Sequence, residues 1–329
     1  MDTSNSFYPD LYSLNDAQFE DIAMQVFHLQ VENNPVYGDY VRRLGVDPDS
    51  VSGLAEIPFM PISFFKRHLI KTGAWQPETV FSSSGTTGAV TSRHAIRDLK
   101  FYLSHSVRCF EHFFGDIRDY HFLALLPSYL EREGSSLVAM MDHFVKMSGS
   151  PYSGFYLHNV EQLLHDVETL RQSDKKTVLW GVSFALLDLA ERYSPDLGHC
   201  IVFETGGMKG RRRELTRSAL HAALTNSLRV DRIFSEYGMT ELLSQAYTRG
   251  GNWFECPPWM RVIARDITDP FEKGLLNQTG GINVIDLANF HSVAFIETED
   301  IGKVRDDGAF EILGRLDNSD VRGCNLLVE

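Results

Sequence analysis

Residues 81–88, Phe81-Ser82-Ser83-Ser84-Gly85-Thr86-Thr87-Gly88, set two glycines and five hydroxyl side chains behind a short apolar run. Glycine lets a backbone turn tightly and approach a ligand. Successive N–H groups can then form an anion-binding nest, and the hydroxyls add donors to phosphate oxygens. The loop is not of the Walker A type, because no Gly-Lys-Ser/Thr follows. A second candidate is Glu236-Tyr237-Gly238-Met239-Thr240-Glu241, after the apolar run 230–234. A glycine turn at the carboxyl end of a strand is where α/β sheets place ligands. There Glu241 could hold a Mg²⁺ ion, Thr240 could donate to a phosphate and Tyr237 could stack on a base. The plainer alternative is a strand-to-helix turn whose acidic residue is stabilised by the helix dipole.

A third glycine turn, Thr205-Gly206-Gly207-Met208-Lys209-Gly210, narrowly misses the dinucleotide pattern, with Thr205 in place of its first glycine. The fourth candidate pairs 297–302 (ETEDIG) with 314–318 (GRLDN). Asp300 is suited to accept both hydroxyls of a ribose, and Arg315 to contact ribose or phosphate. Gly181-Val182-Ser183-Phe184-Ala185 resembles a nucleophile elbow and would make Ser183 the nucleophile of an acyl hydrolase. His105, Cys109 and His112 recur at helical spacing, which suits a metal or, more simply, a solvated polar face. Arg211-Arg212-Arg213 reads as a surface charge run.

The elements that must position these residues follow from periodicity. A first helix is expected over 17–31, ended by Asn33-Asn34-Pro35, then an ordered connection over 54–65 and a short strand over 79–81. In the helix expected over 98–114, Leu103, Val107, Phe110 and Phe114 share one face. Strands over 121–126, 152–156, 177–180, 200–204 and 229–235 alternate with helices over 135–147, 160–172, 184–192 and 210–224. This alternation predicts βαβ units and a mostly parallel sheet. After Glu241 the texture changes to short strands over 260–264, 281–286, 292–297, 302–305 and 309–313. The expectation is one α/β unit with two sub-lobes, an α/β part over 1–241 and a β-rich part over 242–329.

Composition narrows the partners. The chain has 329 residues, with 31 basic and 44 acidic side chains and a net charge of −13. That balance argues against nucleic acid, which calls for a basic footprint. No apolar stretch approaches the roughly 20 residues that span a bilayer, and the polar, acidic start does not read as a secretory signal. The four cysteines, Cys109, Cys200, Cys256 and Cys324, form no CxxC and read as reduced thiols of a cytoplasmic protein.

The order of motifs (SSSGTTG, TGGMKG, YGMTE, TED and GRLDNSDVRG) resembles the adenylate-forming superfamily of acyl-CoA synthetases and phenylacetate-CoA ligases, from about Phe59 onward. The resemblance implies an α/β fold of the adenylate-forming N-terminal type, with stacked α/β sheets and a small β-rich subdomain. Ser83, Ser84, Gly85, Thr86, Thr87 and Gly88 would wrap the phosphates of ATP, with Arg93 in place of the family's following lysine. Gly206, Gly207 and Met208 would form the adenine segment. Tyr237, Gly238, Met239, Thr240 and Glu241 match the aromatic-Gly-x-Thr-Glu motif, with Glu241 as the Mg²⁺ carboxylate. Asp300 would bind the ribose, with Arg315 as its partner. A carboxylic acid would attack the α-phosphate of ATP, giving an acyl-adenylate and pyrophosphate.

One departure from the family is large. Its members continue past the GRxDD hinge into a lid domain with a catalytic lysine, whereas Asp317 lies twelve residues before the final Glu329. The lid is therefore expected to be absent. This length and the ending 321–329 (VRGCNLLVE) are similar to the acyl-protein synthetases of the bacterial bioluminescence fatty-acid reductase complex. That family moves the activated acyl group to a cysteine near its C-terminus and then to a reductase. The resemblance would make Cys324 the acyl acceptor, with Arg322 lowering its pKa, and an acyl reductase or acyl-carrier protein the partner. The alternatives are a ligase that uses coenzyme A, the Ser183 hydrolase, and a subunit that binds ATP or acyl-AMP without turnover. The apolar stretches 123–126 and 180–187 are expected to line the acyl pocket.

Overall fold

Unbroken apolar runs in this chain form buried central strands, and alternating runs form strands with one wetter face. A computed structural model describes residues 11–83, 90–126, 134–157, 159–206, 215–269 and 272–316. Two helices come first, α1 (Asp16–Asn33) and α2 (Pro35–Arg43). Asn15 and Gln18 form a reciprocal capping box at the start of α1. Asn34 ends α1 and caps α2, whose first helical position is Pro35. The connection that follows carries β1 (Met60–Pro61) and a single turn, α3 (Phe64–Arg67). A hairpin of β2 (Thr79–Ser82) and β3 (Arg93–Ile96) then pairs Thr79 with Ile96 and Ser82 with Arg93.

The alternating part runs α4 (Leu99–Phe114), β4 (Tyr120–Leu125), α5 (Ser136–Met147), β5 (Gly154–Phe155), α6 (Val160–Thr169), β6 (Lys176–Val182), α7 (Ser183–Tyr193), β7 (Cys200–Thr205), α8 (Arg217–Leu228) and β8 (Ile233–Tyr237). Six shorter or longer strands follow, β9 (Ala246–Thr248), β10 (Phe254–Glu255), β11 (Met260–Arg265), β12 (Gly280–Asp286), β13 (Phe295–Val304) and β14 (Phe310–Arg315). Strands β5-β4-β6-β7-β8 are parallel neighbours. The sheet continues antiparallel through β9, β10, β14, β13, β12 and β11. The α/β class expected from the alternation is the one observed, and β9 and β10 join the β-rich strands to the parallel ones.

Two expectations about elements are corrected. Strands expected separately over 292–297 and 302–305 are one strand, β13, in which Thr298, Asp300, Gly302 and Val304 are buried and the residues between are half-buried. The acidic run reads as a turn by composition, yet it keeps the period of two. The second concerns α4, which is buried on both sides. Phe110 packs against Phe122 and Phe144. On the other side His105 is fully buried, with Nε2 2.9 Å from Ser244 Oγ and Nδ1 3.1 Å from Tyr12 Oη. Burial lowers the His105 pKa to about 3, so the ring is neutral. Cys109 is also buried, whereas His112 is exposed. His105 and Cys109 therefore belong to the core and only His112 faces solvent, and among the described residues no cluster of three His, Cys, Asp or Glu could hold a metal.

The core lies between helices and sheet, with Trp180 stacked on Phe203 at 4.5 Å. Residues 123–126, Trp180 and Leu186 are packed into it. No described helix is long and apolar enough to cross a membrane.

Candidate active site

The turn after β8 is shaped by its glycine. A Cβ on Gly238 would lie 2.1 Å from Glu236 Oε1, so only glycine lets the chain fold back over that carboxyl. The turn closes through Leu242 N–H to the Met239 carbonyl at 3.1 Å. Buried Asp286, at the end of β12, then accepts from Leu243 N (2.8 Å), Ser244 N (2.9 Å) and Ser244 Oγ (2.6 Å). Asn289 Nδ2 donates to the Glu241 carbonyl at 2.8 Å. His94 Nδ1 lies 2.9 Å from the Thr240 carbonyl. Burial holds His94 neutral, with its pKa lowered to about 4, and its Nδ1–H is the donor to that carbonyl. Thr240 and Glu241 are thereby fixed from β3 and from the segment after β12.

The hairpin carries the hydroxyl-rich loop to the same place. Ser83 N–H donates to the Ser92 carbonyl at 3.0 Å and Ser92 N–H to Ser83 Oγ at 2.9 Å, which extends the pairing one step beyond β2 and β3. Burial raises the Glu241 pKa, and a hydrogen bond from Ser92 together with the charges of Arg315 and Lys66 works against that rise. So the base of the loop touches the acid that the sequence put forward for Mg²⁺. Ser84, Gly85, Thr86, Thr87 and Gly88 lie outside the described residues, and Arg93 is exposed on β3.

Strands β13 and β14 supply the third side. Asp300 pairs with Arg315 across them, with Arg315 Nε 3.3 Å from Asp300 Oδ1 and Nη2 3.6 Å from Glu299 Oε2. Tyr237 Oη donates to Asp300 Oδ2 at 2.8 Å, so the YGMTE turn and the TED strand meet directly. Burial pushes the Asp300 carboxyl up, and Arg315 and Tyr237 pull it down. The Tyr237 ring sits edge-on to Phe310, with centroids 5.1 Å apart.

Beside this site lies a buried polar group that the sequence did not reveal. Ser183 Oγ is 2.9 Å from both Glu204 Oε2 and the Gly206 carbonyl. Ser235 Oγ donates to Glu204 Oε1 at 2.8 Å. Gly206 has φ +69°, the left-handed region; Gly207 and Met208 lie outside the described residues. Ser183 thus hydrogen-bonds to a carboxylate and a carbonyl. His199 is bonded instead to the Val167 carbonyl and His221 to Ser235. Among the described residues no histidine bonds to Ser183 as a hydrolase would require, and Ser183 braces the end of β7.

Burial works against ionisation of Glu204, but His221, Arg217 and Ser235 outweigh it and hold its pKa below the ordinary value. Its neighbour Glu236 behaves oppositely. Burial, countered by the Thr205 hydroxyl that donates to it and reinforced by the Glu204 charge, raises it from 4.5 to about 7. A carboxyl raised in the folded state contributes stability through its protonated form. That contribution is full below pH 4.5 and is lost as pH rises through 7. Glu236→Gln is therefore expected to flatten the pH dependence of the urea midpoint in this window. An unchanged slope would contradict the assignment.

Ser92, His94, Asp286, Asn289 and Lys66 were missed by sequence reasoning. A signal existed for two of them: in 91–94 (TSRH), Ser92 and His94 alternate with more exposed residues, the mark of a strand aiming polar groups inward. Cys324 and Asp317 lie outside the described residues. Burial raises the thiol pKa of both Cys109 and Cys200 to about 12, and that of Cys256 also rises.

No protein-family model matches the sequence, and no curated protein matches it. Solved structures do share its fold. 2-Hydroxyisobutyryl-CoA ligase in complex with 2-HIB-AMP and CoA aligns with a TM-score of 0.67 at 13% identity, over 94% of this chain and 71% of the ligase. ATP-bound MatB from Rhodopseudomonas palustris aligns with a TM-score of 0.53 at 17% identity, over 72% of this chain and 47% of MatB. The chain thus spans about half the length of MatB. The luciferase-like enzyme of the nonluminescent mealworm Zophobas morio gives 0.50 at 18% identity, over 83% of this chain and 62% of that enzyme. The chain shares the α/β fold of 2-hydroxyisobutyryl-CoA ligase and of MatB.

Proposed function

We propose that this chain activates a carboxylic acid, of the fatty-acid type, by adenylation and passes the acyl group to a thiol. The observation that carries the reading is a convergence. The base of the hydroxyl-rich loop (Ser83, Ser92), the Thr240–Glu241 turn and the Asp300–Arg315–Tyr237 group come from distant parts of the sequence and meet at one site, whose carboxylates Glu241 and Asp300 are buried. The likeness to a ligase solved with an acyl adenylate and CoA, and to one solved with ATP, supports it. We take the chain as one adenylating unit, with an α/β part over 1–241 and a β-rich part over 242–329.

In this reading Asp300 accepts the ribose hydroxyls and Arg315 neutralises charge beside it. Gly206, Gly207 and Met208 line the adenine, and Tyr237 orients Asp300 through its hydroxyl. The loop 83–88 and Thr240 donate to the phosphates. Glu241 is a buried carboxylate raised by desolvation, so a cation is a fitting partner. It is the only acidic group we assign to Mg²⁺, which matches an ion held by one carboxylate and the phosphates of its nucleotide. When bound, Mg²⁺ would neutralise the leaving pyrophosphate.

The acid's carboxylate oxygen attacks the α-phosphorus, the bond to the β-phosphate oxygen breaks, and pyrophosphate leaves. A thiolate then attacks the acyl carbonyl carbon, the bond to AMP breaks, and AMP leaves. We assign the thiolate to Cys324, from which an acyl reductase or carrier protein takes the acyl group; free coenzyme A is the competing acceptor. A labelled fatty acid and ATP should yield AMP and pyrophosphate in equal amounts with each acyl group transferred. Release of ADP and phosphate would contradict the reading.

A further inference from the structure

The first part of the chain reaches the site through a pairing that no local pattern announces. Strand β1 lies parallel to β13, with Met60 opposite Ile296 and Pro61 opposite Glu297, and Ile62 N–H donates to the Glu297 carbonyl at 2.8 Å. The chain then turns into α3 through Phe65 N–H to the Ile62 carbonyl at 3.1 Å. Two aromatic rings lock that turn. Phe65 is fully buried and sits edge-on to His94, whose own ring is bonded to the Thr240 carbonyl. Phe64 sits edge-on to Tyr40 at 5.5 Å. The next residue, Lys66, is directed by these anchors toward the strand that carries Glu299 and Asp300.

Lys66 Nζ lies 3.8 Å from Glu299 Oε1, and Arg315 Nη2 lies 3.6 Å from the other oxygen of the same carboxylate. Both charges also act on Glu241. Two cations thus straddle Glu299 and face three carboxylates, Glu241, Glu299 and Asp300. As a surface ion pair, half exposed and at that distance, Lys66–Glu299 contributes little to stability. Among the described residues the Lys66 ammonium makes no hydrogen bond, so its three N–H donors are available, while its backbone is held by Lys66 N–H to the Ser63 carbonyl at 3.1 Å. An ammonium held beside a site of net negative charge is suited to a polyanion entering that site.

We propose that Lys66 binds the phosphate chain of the nucleotide, delivered to the site from the N-terminal part of the chain by β1 and α3. The assignment rests on the adenylation reading. Lys66→Ala, Lys66→Arg and the wild type are compared by equilibrium binding of α,β-methylene-ATP and of AMP, alongside pyrophosphate exchange and thermal melting. Lys66→Ala is expected to weaken the triphosphate by about 10-fold or more and AMP by much less. Its melting temperature should stay near that of the wild type, and Lys66→Arg should restore most of the affinity. Binding of the triphosphate unchanged in Lys66→Ala, or weakened equally for AMP, overturns the assignment while the adenylation reading stands. A wild type that binds neither nucleotide overturns both.

Discussion

Glu241→Gln is expected to lower acid-dependent pyrophosphate exchange by about 100- to 1,000-fold, the usual cost of removing one preorganised electrostatic group from a reacting centre. The same substitution should leave the fold as stable as before, or more so. Glu241 is buried, and desolvation raises its pKa, so the ionised form is held at a cost to the folded state. Glutamine removes the charge, keeps the shape and can still bond with Ser92. The backbone around it is fixed independently by Asn289, His94 and Asp286. Loss of exchange with an unchanged or raised melting temperature therefore separates chemistry from folding. If exchange stays within about threefold of the wild type, Glu241 is not the carboxylate that offsets the leaving group's charge.

Cys324→Ser is expected to abolish the hydroxylamine-sensitive acyl-enzyme formed from labelled fatty acid and ATP, while leaving pyrophosphate exchange intact. Exchange reports the first half-reaction, in which no thiol takes part. The sign of this prediction depends on the other cysteines. Cys109 lies on α4 against Gln245 and Trp259, and Cys200 opens β7. Burial raises both to about 12, so each is a protonated, poorly nucleophilic thiol at neutral pH. Cys256 is raised by burial as well. A labelled, hydroxylamine-sensitive protein persisting in Cys324→Ser would contradict the assignment. If coenzyme A is the acceptor, acyl-CoA forms in both proteins and neither is labelled.

Elements with a clear period were legible in the sequence. The helices at 98–114 and 135–147 and the strands around 121–126, 177–180 and 200–204 appear within a few residues of the expected bounds. Their signal is local: an Asp98 or Ser135 cap, an apolar stripe, an unbroken apolar run. Two kinds of feature were not legible. One is polar burial. His105 and Cys109 look like a wet face by residue type, and only the approach of Ser244 and Trp259 makes them core. Ser183 looks like a nucleophile until Glu204 is placed beside it. The other is long-range pairing. Nothing near Met60 announces Ile296, so Lys66 could not be connected with Glu299 from the sequence. The motif residues Tyr237, Glu241, Asp300 and Arg315 could be picked out one by one, whereas the Asp300–Arg315 pairing comes from the register of β13 and β14 and the Tyr237–Asp300 hydrogen bond from the approach of β8 to β13.

The most direct test of adenylation is ATP–pyrophosphate exchange by the purified wild-type protein with Mg²⁺, measured across a series of straight-chain carboxylic acids. The account predicts exchange that requires an acid, rises with one range of chain lengths and falls sharply in Asp300→Ala, which loses the ribose contact. Exchange absent with every acid, in a protein that still binds ATP, would contradict it and leave a nucleotide-binding subunit in its place.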